Sequence, residues 1–316
     1  MLEALPVDDW SQTINLTRNY HKPNIVKPLF AKILDGKINN VYGIKVVDAP
    51  YFSTEFHFHE ECQLVYLMES EGRVMIGDSI RNFGNEELFF VGSNLPHVWH
   101  NSKEYFINTV GNSKARSISL FIHPEKILDI FKEPENIQQI KMFFQLGKRG
   151  IKFGDVAKNE VKPLLIKIAS ETDEIGRLVG VLEIIRVLCH TKDYQLLASP
   201  GYTNNYQLKD NDRMDKILKY VFDNFNQEIL LKKAADMTNM NKQAFCRYFK
   251  NRTQKTFVTF VNEVRIGHAC KLMAETDRQI NELAYVCGFN SLCNFNKLFK
   301  AAKGVTPREY KKMLVK

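Results

Sequence analysis

The sequence predicts an α+β multidomain protein, with an antiparallel β-rich N-terminal half, a helical connector and an all-α C-terminal third. Short β-branched and aromatic segments, separated by turn-forming residues, occupy roughly the first 125 residues. Apolar residues then recur at helical spacing, and the last third contains an internal duplication. At 316 residues the chain is long enough for two domains, each with its own core.

Six segments of the N-terminal half have strand character. They are rich in β-branched or aromatic residues, or alternate apolar with polar ones, and Gly, Asn, Asp and Ser separate them. The segments are residues 41–47, 63–68, 73–76, 88–91, 105–110 and 118–122. Many short strands with turns between them are typical of a small antiparallel barrel or sandwich. We assign residues 1–135 to this domain.

Two amphipathic helices are predicted in the connector, residues 136–198. Apolar residues at helical spacing run from Val161 to Ile168 and from Leu178 to Leu188. Such helices either cover the barrel or form a dimer interface, and the sequence leaves both open. The Pro, Gly and Asn residues of positions 199–207 predict a linker, so that residues 208–316 form the last domain.

The C-terminal domain contains the same pattern twice. Residues 231–241 correspond to residues 280–290 at an offset of 49, and beyond them the offset is 50. One extra residue, just after the turn of the second copy, accounts for this change. Corresponding pairs are Leu231 and Ile280, Ala235 and Ala284, Asn239 and Gly288, Met240 and Phe289, Phe245 and Phe295, and Phe249 and Phe299.

Each repeated feature has a physical reason. The small Ala235 and Ala284 allow two helices to cross closely. Asn239 and Gly288, four residues further on, are residue types that enter the left-handed conformation readily. The apolar residue after each of them then fixes a second helix against the first. The pattern predicts two helix-turn-helix units.

The second helix of each unit is predicted to have an apolar inner face and a polar outer face. The outer residues are Gln243, Cys246, Arg247 and Lys250 in the first unit, and Leu292, Cys293, Asn296, Lys297 and Lys300 in the second. Arg, Gln, Asn and Lys side chains match base edges and phosphates in the major groove. An ordinary solvated face is the alternative, but two copies in a basic region favour DNA recognition.

The excess positive charge of the chain is confined to its last third. Residues 207–316 hold 21 Lys and Arg against 11 Asp and Glu, a net charge of +10, whereas the remainder holds 23 against 25, a net of −2. A basic surface on one domain is what binding to a phosphate backbone requires. Charge alone also fits a soluble basic domain without a nucleic-acid partner.

Roughly the last hundred residues resemble the AraC/XylS family of bacterial regulators. The resemblance lies in residues 280–289 (INELAYVCGF), in residues 295–300 (FNKLFK) and in residues 304–310 (GVTPREY). Residues 265–272 resemble the helix that joins the two units in that family. The resemblance implies two recognition helices that enter successive major-groove segments on one face of the DNA, about one helical turn apart.

Two departures from that family pattern bear on function. Gln254 stands where the family usually has Gly, which predicts a small cost in local stability. Cys246, Leu292 and Cys293 are poor hydrogen-bond donors. Base recognition at these three positions is therefore expected to use apolar contact with thymine methyl groups.

Polar residues cluster around two strands of the N-terminal half. His57 and His59, at i and i+2, project to the same side of a strand, and His97 follows a later strand. This arrangement resembles the cupin barrel, the sensor domain of many AraC-family proteins. The metal-binding cupin pattern would place a Glu near Gln63, so no metal and no cofactor are predicted. With Trp99, these residues are predicted to line a ligand pocket.

The sequence therefore predicts a transcription regulator that binds double-stranded promoter DNA and responds to a small-molecule effector. A polar pocket with one aromatic wall suits a sugar, although the histidines would equally serve to hold the barrel mouth by hydrogen bonds. RNA polymerase and a second copy of the chain, as a homodimer, are further expected partners.

Two other function classes stay open: a cupin metalloenzyme with a DNA-binding appendage, and a ligand-independent architectural DNA-binding protein. The sequence contains no Gly-rich phosphate loop, GxSxG elbow or convincing Cys/His nucleophile pair, which argues against an enzyme.

Targeting signals are not recognisable in the sequence. The first residues contain no basic segment typical of a signal peptide, and no apolar run is long enough for a membrane helix. The six cysteines are scattered without a CxxC pair, which argues against disulfides and structural zinc. We expect a cytoplasmic protein without a membrane partner.

Overall fold

The computed structural model of the protein describes residues 41–52, 55–102, 104–107, 114–131, 137–204 and 211–314. The strands are β1 Tyr42–Ala49, β2 Cys62–Glu69, β3 Gly72–Ile76, β4 Ser79–Phe83, β5 Glu87–Val91, β6 His97–Asn101, β7 Ala115–Ile122, β8 Ile151–Phe153 and β9 Tyr194–Leu196. They form a six-stranded sheet of order β1-β7-β2-β5-β8-β9 and a three-stranded sheet of order β4-β3-β6. All pairings between these strands are antiparallel.

Five helices belong to the N-terminal half and the connector. They are α1 Glu104–Ile107, α2 Pro124–Leu128, α3 Gln138–Gly147, α4 Asp155–Ser170 and α5 Glu174–His190. The C-terminal third contains α6 Asn211–Asn224, α7 Leu231–Met237, α8 Lys242–Thr253, α9 Phe257–Glu275, α10 Ile280–Val286, α11 Leu292–Lys303 and α12 Pro307–Leu314. None of the helices in the described ranges is long and apolar enough to span a bilayer.

Alternation of side chains along the strands gives the six-stranded sheet two buried faces. On one face, Leu64 and Tyr66 of β2 share a core with Phe143 of α3, Leu165 of α4 and Ile184 of α5. The connector helices therefore cover the sheet, which was one of the two roles the sequence left open. The same core is large enough to explain why α4 and α5 are stable as long amphipathic helices.

The opposite face of the six-stranded sheet packs against the three-stranded sheet. Val65 and Leu67 of β2 share a core with Val74 of β3 and Trp99 of β6. The outer face of the smaller sheet then joins the core of the C-terminal domain, because Met75 is buried in one cluster with residues of α6. The molecule is thus layered as helices, sheet, sheet and helices.

The structure corrects two of the predicted features. The two sheets are separate hydrogen-bonded ladders among the described residues, so a closed barrel is not confirmed. Residues 105–110 were predicted as a strand, but Glu104–Ile107 form a short helix, and residues 108–110 lie outside the described ranges. A turn hydrogen bond from the Tyr105 amide to the Ser102 carbonyl at 3.1 Å starts this helix, although the residues have high strand propensity.

Four strands were not predicted. β4 and β6 contain Asn, Arg and His residues that weaken the strand pattern, and both are stabilised by pairing with β3. β8 and β9 are three residues long, too short for a sequence period, and extend the larger sheet beyond β5. The connector thus contributes strands as well as helices. The other five predicted strand segments correspond to β1, β2, β3, β5 and β7.

The first part of the predicted linker lies against the N-terminal domain. The Ser199 amide donates to the Asp78 carboxylate at 2.9 Å, and the Asn204 side-chain amide donates to the Asn94 carbonyl at 2.8 Å. Residues 205–207 of the predicted linker lie outside the described ranges.

Candidate DNA interface and buried histidine cluster

Each helix-turn-helix unit joins its two helices through a residue in the left-handed conformation. The residue is Asn239 between α7 and α8, with φ of 55°, and Gly288 between α10 and α11, with φ of 86°. The amide of the next residue donates back to the carbonyl of Ala235 in the first unit and of Ala284 in the second, at 3.0 Å in both. The predicted pair of turns is confirmed.

The two second helices, α8 and α11, begin with the same kind of cap. The Asn241 side chain accepts a hydrogen bond from the Ala244 amide at 2.8 Å, and the Ser291 side chain accepts one from the Asn294 amide at 3.4 Å. The extra residue of the second copy therefore lies between its turn and its cap, as the change of offset predicted.

The inner faces of α8 and α11 are aromatic. Phe245 and Phe249 of α8 and Phe295 and Phe299 of α11 are completely buried. Their rings pack edge-to-face or tilted against other aromatic rings of the same unit. These contacts fix which side of each helix faces outward.

The outer faces carry the residues predicted to recognise DNA. Eight of them are exposed: Gln243, Cys246, Arg247, Lys250, Cys293, Asn296, Lys297 and Lys300. Leu292 differs, because its side chain is half-buried against the core of the second unit. At the offset of 50, Arg247 corresponds to Lys297 and Lys250 to Lys300. Both exposed faces therefore present cations at the same helical positions.

Two arginines beside the Tyr248 ring of α8 were not predicted from the sequence. The guanidinium of Arg252 lies 5.5 Å from the centre of the Tyr248 ring, and that of Arg213, from α6, lies 6.0 Å from it. The i, i+4 spacing of Tyr248 and Arg252 was the available signal. Arg213 was not recognisable, since only the fold brings α6 next to α8.

A second polar site lies between the two sheets, where the structure brings three predicted residues together. The ring centres of His57 and His97 are 4.4 Å apart, and those of His59 and His97 are 5.0 Å apart. His59 and His97 are buried, whereas His57 is partly exposed. His57 and His97 are also joined by an isolated antiparallel bridge, with backbone N···O distances of 3.1 and 2.9 Å.

Burial sets the protonation of this cluster. Loss of hydration lowers the pKa of His59 to about 3, with a further contribution from the neighbouring His57. The same cause lowers the pKa of His57, and it lowers that of His97 well below its ordinary value. All three imidazoles are therefore neutral near pH 7 and keep a lone pair on one ring nitrogen.

Gln63 and Trp99 complete the predicted ligand site. The Gln63 side-chain amide donates to the Ser119 hydroxyl at 3.1 Å, and Trp99 packs edge-on against the His97 ring at 5.3 Å. Four buried polar atoms of this region have no hydrogen-bond partner among the described residues: His59 Nε2, His97 Nε2, Gln63 Oε1 and Trp99 Nε1. Unpaired buried polar atoms are costly, so their concentration in one place indicates a binding site.

The histidine strand β6 also contacts the C-terminal domain. Its other face carries His100, whose Nε2 lies 4.0 Å from the Asp223 carboxylate of α6. From the neighbouring strand, the Arg73 guanidinium lies 4.0 Å from the Phe225 ring centre and donates to the Phe222 carbonyl at 3.3 Å. The Asn82 side-chain amide donates to the Gly267 carbonyl of α9 at 2.6 Å. The two domains are thus joined by specific contacts.

Comparison with known proteins agrees with this architecture. A family model described as a helix-turn-helix domain matches residues 234–313. YdeC, an uncharacterised HTH-type transcriptional regulator of Bacillus subtilis (strain 168), is 23% identical over 262 residues, covering 81% of this chain and 86% of its own. RhaR, an HTH-type transcriptional activator of Enterobacter sp. (strain 638), is 20% identical over 288 residues, covering 90% and 96%.

A crystal structure of a transcriptional regulator with an AraC-type DNA-binding domain, from Chromobacterium violaceum, is 18% identical. It covers 35% of this chain and 98% of its own, with a TM-score of 0.32. The duplicated helix-turn-helix units and the family match define a DNA-binding transcription regulator. The match to residues 234–313 and the similarity to these regulators agree with the AraC/XylS resemblance that the motifs of the last hundred or so residues predicted.

Proposed function

We propose that α8 and α11 are the two recognition helices and enter successive major-groove segments of promoter DNA. The observation that carries the proposal is the exposed cationic face that each helix presents at equivalent positions, with Arg247 matching Lys297. Buried phenylalanines behind each face hold the helices in place. In this arrangement each unit reads one of two short boxes whose centres lie about one helical turn apart.

The outer residues are proposed to divide into two roles. Gln243, Arg247 and Asn296 have side chains that form paired hydrogen bonds with base edges, whereas Lys250 and Lys300 are suited to phosphates. Cys246 and Cys293 are proposed to contact thymine methyl groups, and Lys297 to contact a guanine edge. The exposed part of Leu292 is proposed to add an apolar contact at the start of α11.

We also propose that the N-terminal domain, a relative of the cupin barrel, senses an effector between its two sheets. Support comes from the unpaired polar atoms of His59, Gln63, His97 and Trp99, which converge in a buried region. A small polar molecule such as a sugar fits the hydrogen-bonding capacity of this set. No catalytic turnover is proposed, since the relatives are regulators rather than enzymes.

The connector helices are proposed to form a homodimer through their outer faces. Ile175 and Val179 of α5 are 74% and 61% exposed, and Ile166 of α4 is 41% exposed. Apolar side chains this exposed on neighbouring helices are typical of an interface. Sedimentation without DNA tests the proposal: the wild type is expected to be a dimer, and the double variant Ile175→Asp, Val179→Asp a folded monomer. A wild-type monomer at micromolar concentration contradicts it.

Contact with RNA polymerase and action in the cytoplasm are proposed as consequences of regulating promoters. The DNA itself gives the decisive test. The full-length protein is incubated with a pool of randomised duplexes at two salt concentrations, and the bound molecules are sequenced. Enrichment of two short boxes about one helical turn apart is expected.

Two variants sharpen that test. Arg247→Ala and Lys297→Ala are expected to relax sequence preference in different boxes, because they occupy equivalent positions in different units. Lys192→Ala, on the connector, serves as the charge-matched control. Strongly salt-dependent binding without any enriched sequence would instead support the architectural alternative.

A further inference from the structure

We propose that His57, His59 and His97 bind one divalent transition-metal ion, and that this ion fixes the segments through which the N-terminal domain contacts α6. The proposal deepens the sensing function proposed above and rests on it. It departs from the sequence prediction of a metal-free pocket, which relied on Gln63 standing in place of a carboxylate.

The ring nitrogens of the three histidines lie close enough to bind one ion. One nitrogen from each of the three histidines lies within 4.8 Å of the others. Zn–N bonds of about 2.0–2.1 Å in a tetrahedral site place ligand nitrogens about 3.3 Å apart. Small side-chain rotations therefore bring three imidazoles around one ion, without rearrangement of the backbone.

The hydrogen bonds of the three rings carry the second step. Nδ1 of His57, His59 and His97 lies 2.7, 2.8 and 2.7 Å from the backbone carbonyl oxygens of Glu55, Glu61 and Leu95. A carbonyl oxygen only accepts, so each Nδ1 carries the proton and each Nε2 keeps its lone pair. This arrangement, in which the second ring nitrogen donates to an oxygen, is the one that orients metal-ligating histidines.

The alternative role, histidines that only hold the ends of strands together, does not explain the Nε2 atoms. Those of His59 and His97 are buried and have no partner in the described part of the chain. Lone pairs directed into the same small space repel one another unless a cation or a donor lies between them. A divalent ion satisfies all three at once.

Gln63 supplies a fourth ligand atom, an amide oxygen. Its amide nitrogen donates to Ser119, which leaves the buried Oε1 without a partner among the described residues. An imidazole-rich set of this kind suits Zn²⁺, Cu²⁺, Fe²⁺ and Ni²⁺ rather than Ca²⁺ or Mg²⁺. Because all four ligands are neutral, the bound ion would keep its charge and would attract an anionic effector group.

The ligand-bearing segments are also the segments that touch the C-terminal domain. The Phe56 amide, next to His57, donates to the Asp215 carboxylate of α6. Val98, next to His97, is buried in the cluster that contains residues of α6. An ion that ties His57 and His59 to His97 therefore stiffens two contacts with α6, which packs against α7 of the first helix-turn-helix unit.

Metal binding is tested on the full-length protein, with its exposed thiols blocked, after chelator treatment and dialysis against Zn²⁺ or Co²⁺. The wild type and the control variant His190→Ala, which removes an exposed histidine, are expected to bind one ion per chain. His57→Ala is expected to lower the affinity for the ion by more than about tenfold. Even the loss of a residue that only hydrogen-bonds to a metal ligand lowers metal affinity about 10–100-fold. Co²⁺ reports the geometry through its visible absorption.

His57 is the least buried of the three ligands, and retained circular dichroism and DNA binding show that its variant folds. Zn²⁺ is expected to change the DNA affinity of the wild type, whereas Asp215→Ala is expected to bind the ion normally but to show no such change. Equal Zn²⁺ binding by the wild type and His57→Ala would overturn the metal site, and an unchanged Zn²⁺ effect in Asp215→Ala would overturn the coupling. Sequence enrichment without Zn²⁺ binding would refute this inference and leave the proposed DNA recognition standing.

Discussion

The two helix-turn-helix units have the same internal construction but different attachments to the rest of the molecule. The core of the first unit is continuous with that of the N-terminal domain, since Phe56, Met75 and Val98 lie in the same buried cluster as Phe245. Among the described residues, the core of the second unit is built from residues of α9 to α12 and of the segments that join these helices, including Phe295. A change in the N-terminal domain therefore reaches the first unit through a shared core, whereas it reaches the second unit through α9 and through the contact of Gly288 with the end of α6.

The two units also meet each other at one tight junction. Arg265 of α9 donates to the carbonyls of Phe225 and Gln227, at 2.7 and 2.8 Å, and its guanidinium lies 5.7 Å from the Phe289 ring centre. A Cβ atom at Gly288 would lie 2.7 Å from the Phe225 oxygen. The turn of the second unit is therefore pressed against the end of α6, whereas no such constraint explains Asn239 in the first.

The largest expected effect comes from deleting a core ring. Phe295→Ala should destabilise the second unit by about 3–5 kcal/mol, because a completely buried phenylalanine leaves a cavity. Denaturant unfolding should show this unit melting in a separate, earlier transition. The matched variant Phe245→Ala should instead lower the transition that the first unit shares with the N-terminal domain. An unchanged melting profile for Phe295→Ala would show that the core assignment is wrong.

The junction gives the next largest effect. Gly288→Asn places in the second unit the residue type that the first unit uses, with the backbone conformation still accessible. It should nevertheless cost about 1–3 kcal/mol, because the added side chain meets the Phe225 carbonyl. Asn239→Gly is the control and should be close to neutral. If Gly288→Asn and Asn239→Gly had equal unfolding free energies, the contact between Gly288 and Phe225 would not distinguish the two units.

A change of similar size is expected in the free energy of DNA binding. Arg247→Ala should weaken binding to the enriched site by about 1–3 kcal/mol and relax preference at one base, if the guanidinium contacts a base edge. Lys297→Ala, at the equivalent position, should affect a base in the other box. Affinities for single-base variants of the site measure both effects. An equal loss of affinity for all DNA sequences would show that the substituted side chain contacts a phosphate instead of a base.

A smaller effect is expected at the ends of the recognition helices. Gln254 ends α8 in the left-handed conformation, with φ of 58°, where Gly304 ends α11 with φ of 76°. Gln254→Gly should stabilise the protein by about 1 kcal/mol, the approximate cost of this conformation for a residue with a Cβ. Gly304→Gln should cost a similar amount, since a Cβ there meets no neighbouring atom. Thermal unfolding of both variants measures the difference.

The last effect is absent at neutral pH and concerns the face of α9 that lies against the N-terminal domain. Burial lowers the pKa of His268 to about 4, with contributions from Arg73 and Lys271. A folded-state pKa below the ordinary 6.5 means that stability is complete above pH 6.5 and falls as the pH drops towards 4. His268→Gln should show a shallower decline in unfolding free energy. Parallel curves for the two proteins would show that His268 does not contribute.

The C-terminal domain was predictable because its signals are local. A left-handed turn residue, a small residue four positions before it and phenylalanines at helical spacing lie within about twenty residues of one another. Their repetition identified both units, and the structure places the turns at Asn239 and Gly288 as predicted. The outer faces of α8 and α11 followed from the same periodicity.

The N-terminal domain was predicted less completely because its strands depend on distant partners. β6 consists of His97, Val98, Trp99, His100 and Asn101, which show no clear strand pattern, and it forms through pairing with β3. The three histidines were recognised as one candidate site from their strand positions. Their Nδ1 hydrogen bonds to backbone carbonyls, which set the tautomers, were not visible in the sequence.

By itself, the sequence determined the duplicated DNA-binding domain, its charge and its resemblance to the AraC/XylS family, since helix periods and turn residues act over a few positions. The tertiary structure decided that the outer face of the smaller sheet packs on α6, and that Arg73 and His100 contact residues of α6. It also decided that the second unit keeps a core of its own. The contacts of Arg73 and His100 join residues more than a hundred positions apart, which no local pattern encodes.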